Sequence, residues 1–144
     1  MSSSKIRSLR GLDTRLTELC TPVVFASSKL ASYHRNAIDK RDFQFRLCDT
    51  MEDVKEGANN LVLCWDDNVE ITLGLPTDVS GAYALKSIDA AIEAAKNGKI
   101  HALLTAPINK HNIASSVEGF SGHTGYLAKE FSNEVLMILS SDQL

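Results

Sequence analysis

The stretch from Gly81 to Asn97 carries Leu85, Ile88, Ala91, Ile92 and Ala95 at i, i+3, i+6, i+7 and i+10. That spacing lines one face of an α-helix and predicts an amphipathic helix. Ser80 fits its N-cap and Gly98 the position after its C-terminus. Ile100-His-Ala-Leu-Leu-Thr-Ala106 follows at once. This run has too little polar character for a strand with one wet face, so it reads as a strand of a parallel sheet covered on both sides. A long helix feeding such a strand demands a sheet with helices packed on it.

The same alternation runs along the rest of the chain. Pro22–Ala26 reads as a buried strand, and Ser27 or Ser28 as the cap of a helix through Ile38. Phe43–Leu47 alternates at period two and predicts a short strand. Met51–Asn60 reads as a loop, Leu61–Trp65 as a second apolar strand, and Val69–Leu73 as a candidate for a third. Gly74, Pro76, Thr77, Asp78 and Ser80 mark a connection. Pro107 ends the strong strand, and a short helix is expected over Ile108–Ala114. A loop over Ser115–Gly122, a helix over His123–Phe131 and a strand over Val135–Leu139 complete the reading. The fold class is therefore α/β, a mostly parallel sheet with flanking helices. In such sheets ligands lie outside the carboxyl ends of strands, which points to Thr105–Lys110 and Ser121–Thr124.

Composition narrows the function classes. Hydrophobic residues at 44% and charged residues at 23% match an ordinary globular domain and exclude a disordered chain. The 15 basic and 18 acidic residues give a net charge of −3, with no electrostatic footprint for nucleic acid. No apolar run approaches the roughly 18 residues of a membrane span. Cys20, Cys48 and Cys64 have no CxxC spacing. They read as reduced thiols and buried small hydrophobes of a cytoplasmic protein. Met1–Leu12 carries four serines, three basic residues and no acid. It lacks the apolar core of a secretory signal, so residues 1–15 are expected to be a disordered basic leader before one domain over 16–144.

The common site fingerprints are missing. His34, His101, His111 and His123 form no HExxH pattern and no i, i+4 pair, so no complete zinc or iron site is expected. Asp66 and Asp67 are adjacent and read as a turn, because neighbours on an extended chain point to opposite faces. No G-x-G-x-x-G, no P-loop and no G-x-S-x-G elbow occurs.

Two segments still carry chemistry. Ser121-Gly122-His123-Thr124 opens a helix, where unpaired backbone N–H groups favour anions and Gly122 allows close approach. His123 and Thr124 add side-chain donors. Thr105-Ala-Pro-Ile-Asn-Lys110 hands a strand over to a helix, where Lys110 can neutralise an anion and Asn109 can position it. On these residues alone two plainer readings stay open: helix capping by Ser121 or Thr124, and a solvated turn at Lys110.

Taken together, Leu103-Leu-Thr-Ala-Pro-Ile-Asn-Lys-His-Asn-Ile113 and Phe120-Ser-Gly-His-Thr-Gly-Tyr-Leu-Ala-Lys129 resemble the 4-hydroxythreonine-4-phosphate dehydrogenase family. Its members carry a TAPxNK-type turn followed by a GHTEYLA-type helix start. Thr21–Tyr33 and the Ser80–Gly98 helix also fit, so the resemblance covers roughly Leu16–Leu144. It implies NAD-dependent oxidation of the C3 alcohol of 4-phosphooxy-L-threonine, then loss of carbon dioxide, in vitamin B6 synthesis. It also implies a divalent metal (zinc, magnesium or cobalt) acting as Lewis acid. The implied fold is like isocitrate and isopropylmalate dehydrogenases, in a cytoplasmic homodimer. His123 and Thr124 match the family's substrate-contacting pair; Asn109 and Lys110 match its turn.

The departures qualify the expectation. Gly125 stands where the family usually has Glu, and Ser121 where Pro is common. The family's opening strand and GD-x-x-G-I-G-type loop are replaced by the leader. Its three metal-binding histidines lie beyond Asp142-Gln-Leu144. The chain is thus expected to be a partial one, with no catalytic, cofactor or metal residues of its own and no turnover alone. Two alternatives accompany this: a phosphate-ester binding module without redox activity, and a related dehydrogenase for another phosphorylated hydroxy acid.

Overall fold

A computed structural model of the chain describes residues 16–39, 43–65, 77–114, 120, 122–132 and 134–138. Its elements are α1 (Leu16–Leu19), β1 (Val23–Ala26), α2 (Ser28–Ala37), β2 (Arg46–Cys48), β3 (Asn60–Leu63), α3 (Asp78–Lys96), α4 (Lys110–Ala114) and α5 (His123–Phe131), with a 3-10 turn at Met51–Asp53. The expected leader and the Val69–Leu73 strand lie outside the described residues, as do Ser115–Glu118, Gly119 and Ser121 of the expected loop.

The sheet is parallel, in the order β1-β3-β2. Val23 pairs with Asn60 and Ala26 with Leu63 on one side, and Arg46 pairs with Asn60 and Cys48 with Val62 on the other. The central strand is the apolar run read from the sequence, because a strand flanked on both edges must exclude water on both faces. Leu61 packs with Ala26 and Ala31, and Val24, Phe45, Leu63 and Trp65 close around them. Ser27 caps α2 as expected, its hydroxyl accepting from the Leu30 N–H.

Asn60 is the fully buried polar residue at the head of β3. Its side-chain amide donates to the carbonyls of Lys55 (3.0 Å) and Ala58 (2.9 Å), and its Oδ1 accepts from the Lys55 N–H at 3.0 Å. These bonds draw the 51–60 loop onto the start of the strand. Such burial is tolerable because the donors and acceptors are met.

α3 buries Ile88, Ala91, Ile92 and Ala94, close to the predicted face, and packs against β1, α4 and α5. It starts earlier than expected. Thr77, not Ser80, is the N-cap, and Ser80 completes a reciprocal capping box with it. Asn97 ends the helix and Gly98 takes a left-handed φ of 67°, as read. Gly81 is buried within α3, and a Cβ there would overlap the Asn112 carbonyl of α4. The missing side chain is what lets the two helices approach.

Three strand expectations change. Phe43–Leu47 gives a strand only from Arg46, where pairing with Asn60 begins; Phe43 and Phe45 form an edge-to-face pair at 4.9 Å instead. Ile100–Ala106 is not a strand, nor are the described residues of Val135–Leu139, of which Leu139 lies outside them: 102–109 and 134–138 carry no ladder, and Leu104 is 95% and Leu136 83% exposed. An apolar run becomes a strand only beside a partner that takes its N–H and C=O groups, and among the described residues none lies there. Of the cysteines, Cys48 is buried, Cys64 half-buried and Cys20 exposed, so the buried reading fails for Cys20. Burial pushes the Cys64 thiol up to about 11. None of the described helices is long and apolar enough to cross a membrane.

Candidate functional site

α5 begins as read, at His123, but its start is built differently. The N-cap is Gly122, with no side-chain cap, so capping by Thr124 is excluded; Ser121 lies outside the described residues. Gly122 is buried and holds φ 125°, ψ −177°, a conformation essentially reserved for glycine. A Cβ at this position would stand 3.3 Å from Lys110 Cε and 3.6 Å from Lys110 Nζ. The lysine that opens α4 therefore lays its ammonium against the open N-terminus of α5.

His123 is half-buried beside that contact. Its Nε2 is buried with no hydrogen-bond partner. Burial lowers the basicity of the ring, so the neutral imidazole dominates at neutral pH. Thr124 and Asn109 are exposed. Among the described residues other than its chain neighbours, only Lys110 comes within 4 Å of the point a Gly122 Cβ would occupy. The structure thus brings Lys110 to the Gly122–His123 turn and leaves Asn109 and Thr124 outside that contact. First-turn amides, a lysine ammonium and an unpaired imidazole nitrogen form a natural receptor for a small anion.

α5 is held by residues the sequence reading did not single out. Tyr126 donates its hydroxyl to Asp89 Oδ1 of α3 at 2.6 Å, and Lys96 of α3 pairs with Glu130 at 2.9 Å. Burial and the carboxylates of Asp89 and Glu130 push the Tyr126 phenol well above its ordinary value. The signal was present: Asp89, Glu93 and Lys96 form an i, i+4, i+7 stripe on the polar face of α3. Such a stripe reads equally as a solvated face, so only its partner helix reveals its use.

The described residues assemble no metal site, and their groove is poorly suited to a pyrophosphate. No group of three or more His, Cys, Asp or Glu among them is placed to hold a metal ion. The open groove between α3 and α5, about 310 Å³, is lined by Asp89, Glu93 and Glu130 with Lys96, whose ammonium is already paired with Glu130, so carboxylates outnumber the cation there. No chemical step is assigned to either group on this chain.

A family model described as pyridoxal phosphate biosynthetic protein PdxA matches residues 18–144. The chain belongs to the PdxA family. It is 38% identical over 129 residues to 4-hydroxythreonine-4-phosphate dehydrogenase of Bacteroides thetaiotaomicron, a match covering 88% of this chain and 35% of that protein. It is 32% identical over 144 residues to a protein of Oceanobacillus iheyensis provisionally named D-threonate 4-phosphate dehydrogenase, covering 96% of this chain and 42% of that one. A crystal structure of a 4-hydroxythreonine-4-phosphate dehydrogenase from Burkholderia phymatum superposes with a TM-score of 0.74, at 24% identity, over 96% of this chain and 42% of that chain. That likeness establishes the α/β fold of the PdxA enzymes, the isocitrate dehydrogenase-like architecture expected above. The chain spans well under half the length of these relatives.

Proposed function

We propose that this PdxA-family chain supplies the phosphate-holding wall of a dehydrogenase that oxidises and decarboxylates 4-phosphooxy-L-threonine in vitamin B6 synthesis. The observation that carries this reading is the Lys110 ammonium lying against the Gly122 start of α5, beside the unpartnered His123 Nε2. Lys110 neutralises the phosphate, the first-turn amides and Thr124 donate to it, and Asn109 orients the carbon chain. His123 donates to or accepts from the substrate through the free nitrogen. NAD and the divalent metal are contacted by other parts of the assembled enzyme, a cytoplasmic homodimer, and these 144 residues alone do not turn over.

The test is calorimetric binding of 4-phosphooxy-L-threonine to the chain. His123→Ala is expected to weaken binding by about tenfold or more, the range for a hydrogen bond to a charged group. Lys110→Ala is expected to do at least as much. No binding by the wild-type chain, or full binding by both variants, sinks the reading. Metal-dependent NADH formation by the chain alone would show that its chemistry is complete here.

The Oceanobacillus relative favours a second substrate, D-threonate 4-phosphate, which bears the same phosphate ester on an acid without threonine's amine. Tighter binding of that acid would move the assignment to it. Binding of any phosphate ester with equal affinity would favour a simple phosphate-ester binding module.

A further inference from the structure

The start of α5 has no side-chain cap, so something else must set the direction in which its free amides point. Tyr126 meets that turn from three sides. Its backbone N–H closes the first helical bond, to the Gly122 carbonyl, at 3.1 Å. Its ring packs tilted on Phe120, just before the turn, with centroids 5.5 Å apart. Its hydroxyl reaches α3, donating to Asp89 Oδ1 at 2.6 Å. The Lys96–Glu130 pair lies further along both helices and ties their far ends together. A tether at one end leaves a helix free to swing; the Tyr126–Asp89 bond removes that freedom at the end facing Lys110.

We propose that Tyr126 is the positioning residue of this site, and that its bond to Asp89 fixes the first turn of α5 so that an anion meets the His123–Gly125 amides and Lys110 together. The inference rests on the anion-site reading above. Tyr126 touches no substrate in it; it acts through the turn it holds.

The experiment is NMR of the 144-residue chain titrated with inorganic phosphate, with Y126F, D89A and D89N beside the wild type. Y126F and D89A each remove the bond. Both are expected to weaken phosphate binding about three- to tenfold, since part of one charge-assisted hydrogen bond reaches the neighbouring turn. The double variant is expected to cost no more than either single one. D89N keeps an oxygen that accepts from the phenol and is expected to restore wild-type affinity. Hydrogen exchange at the amide of residue 126, which closes the first helical bond, is expected to speed up in Y126F without ligand, while α3 amides away from Asp89 hold. A tether that merely stabilises the fold would lower the melting temperature and leave affinity below it unchanged, and that result overturns the proposal. Unchanged exchange at the amide of residue 126 in Y126F overturns it too. If the wild type shows no phosphate-induced shift while Y126F still loosens the turn, the anion site is refuted and the clamp stands.

Discussion

Leu61 and Leu104 sit in apolar runs of the same kind, yet one is 1% exposed and the other 95%. The β1-β3-β2 half surrounds its apolar run with two strands and a helix. The half from residue 100 onward holds the candidate site but leaves its extended apolar runs without a ladder. Asn60 is buried with its amide donors and acceptor met, whereas His123 buries an Nε2 that meets nothing. The first half also buries unpartnered atoms, Arg35 Nε and Asn59 Oδ1, so such an atom does not mark a site by itself. What separates His123 is the Lys110 ammonium lying against its turn.

The largest expected effect tests the burial contrast. Leu61→Ala should lower unfolding free energy by about 2–5 kcal/mol, from lost transfer and the cavity left behind. Leu104→Ala should change it by less than about 0.5 kcal/mol, as an exposed site does. Chemical denaturation of both variants decides. Equal losses would mean that the Ile100–Ala106 run is covered in solution, which would break the comparison.

A smaller effect is expected where the halves join. α3 belongs to the firm half and α4 carries Lys110, and at Gly81 the Asn112 carbonyl of α4 comes directly against α3. Gly81→Ala adds a Cβ into the Asn112 carbonyl, so the helices must separate. The expected cost is about 1–3 kcal/mol, as for other overpacked contacts. Phosphate affinity should fall alongside, because Lys110 moves with α4. A variant as stable as wild type would show that α4 is free to shift, and that the site is not braced from α3.

These contrasts also show what the sequence could and could not reveal. The helices at Ser28–Ala37 and His123–Phe131 were legible nearly to the residue, the first because its Ser27 cap is a local property. The long helix was misplaced by three residues at its start because Thr77 and Ser80 are both good caps, and choosing between them depends on a reciprocal bond. The Ile100–Ala106 strand was misread for a different reason. Hydropathy says that a segment wants covering; it does not say what is beside it. At the site, Gly122, His123 and Lys110 were legible as a loop pattern, but their meeting is a tertiary fact. Asn60 looked like one more loop residue, and Tyr126 like one more aromatic on a helix. Asn60 is set by Ala58 and Lys55, 2 and 5 positions away, and Tyr126 by Asp89, 37 positions away.

The smallest expected effect is the pH response of His123, and it sharpens the contrast with Asn60 most directly. Burial disfavours the imidazolium, so the ring titrates in the fold below its ordinary value near 6.5. Between the two values the unfolded chain holds more protons than the folded one, and stability therefore rises with pH across that window. His123 is neutral in both states above about 6.5 and costs nothing there; the penalty grows as pH falls from about 6.5 toward the folded value and is complete below it. Asn60 has no proton to exchange and contributes no such slope. A phosphate bound beside Nε2 reverses the preference, because an adjacent anion favours the charged ring. NMR titration of the His123 ring should therefore give a midpoint below 6.5 in the free chain, moving upward when phosphate is added. His123→Asn should flatten the loss of stability on the acid side. A free-chain midpoint at the ordinary value would place the ring in water, and the two halves would then differ in packing alone.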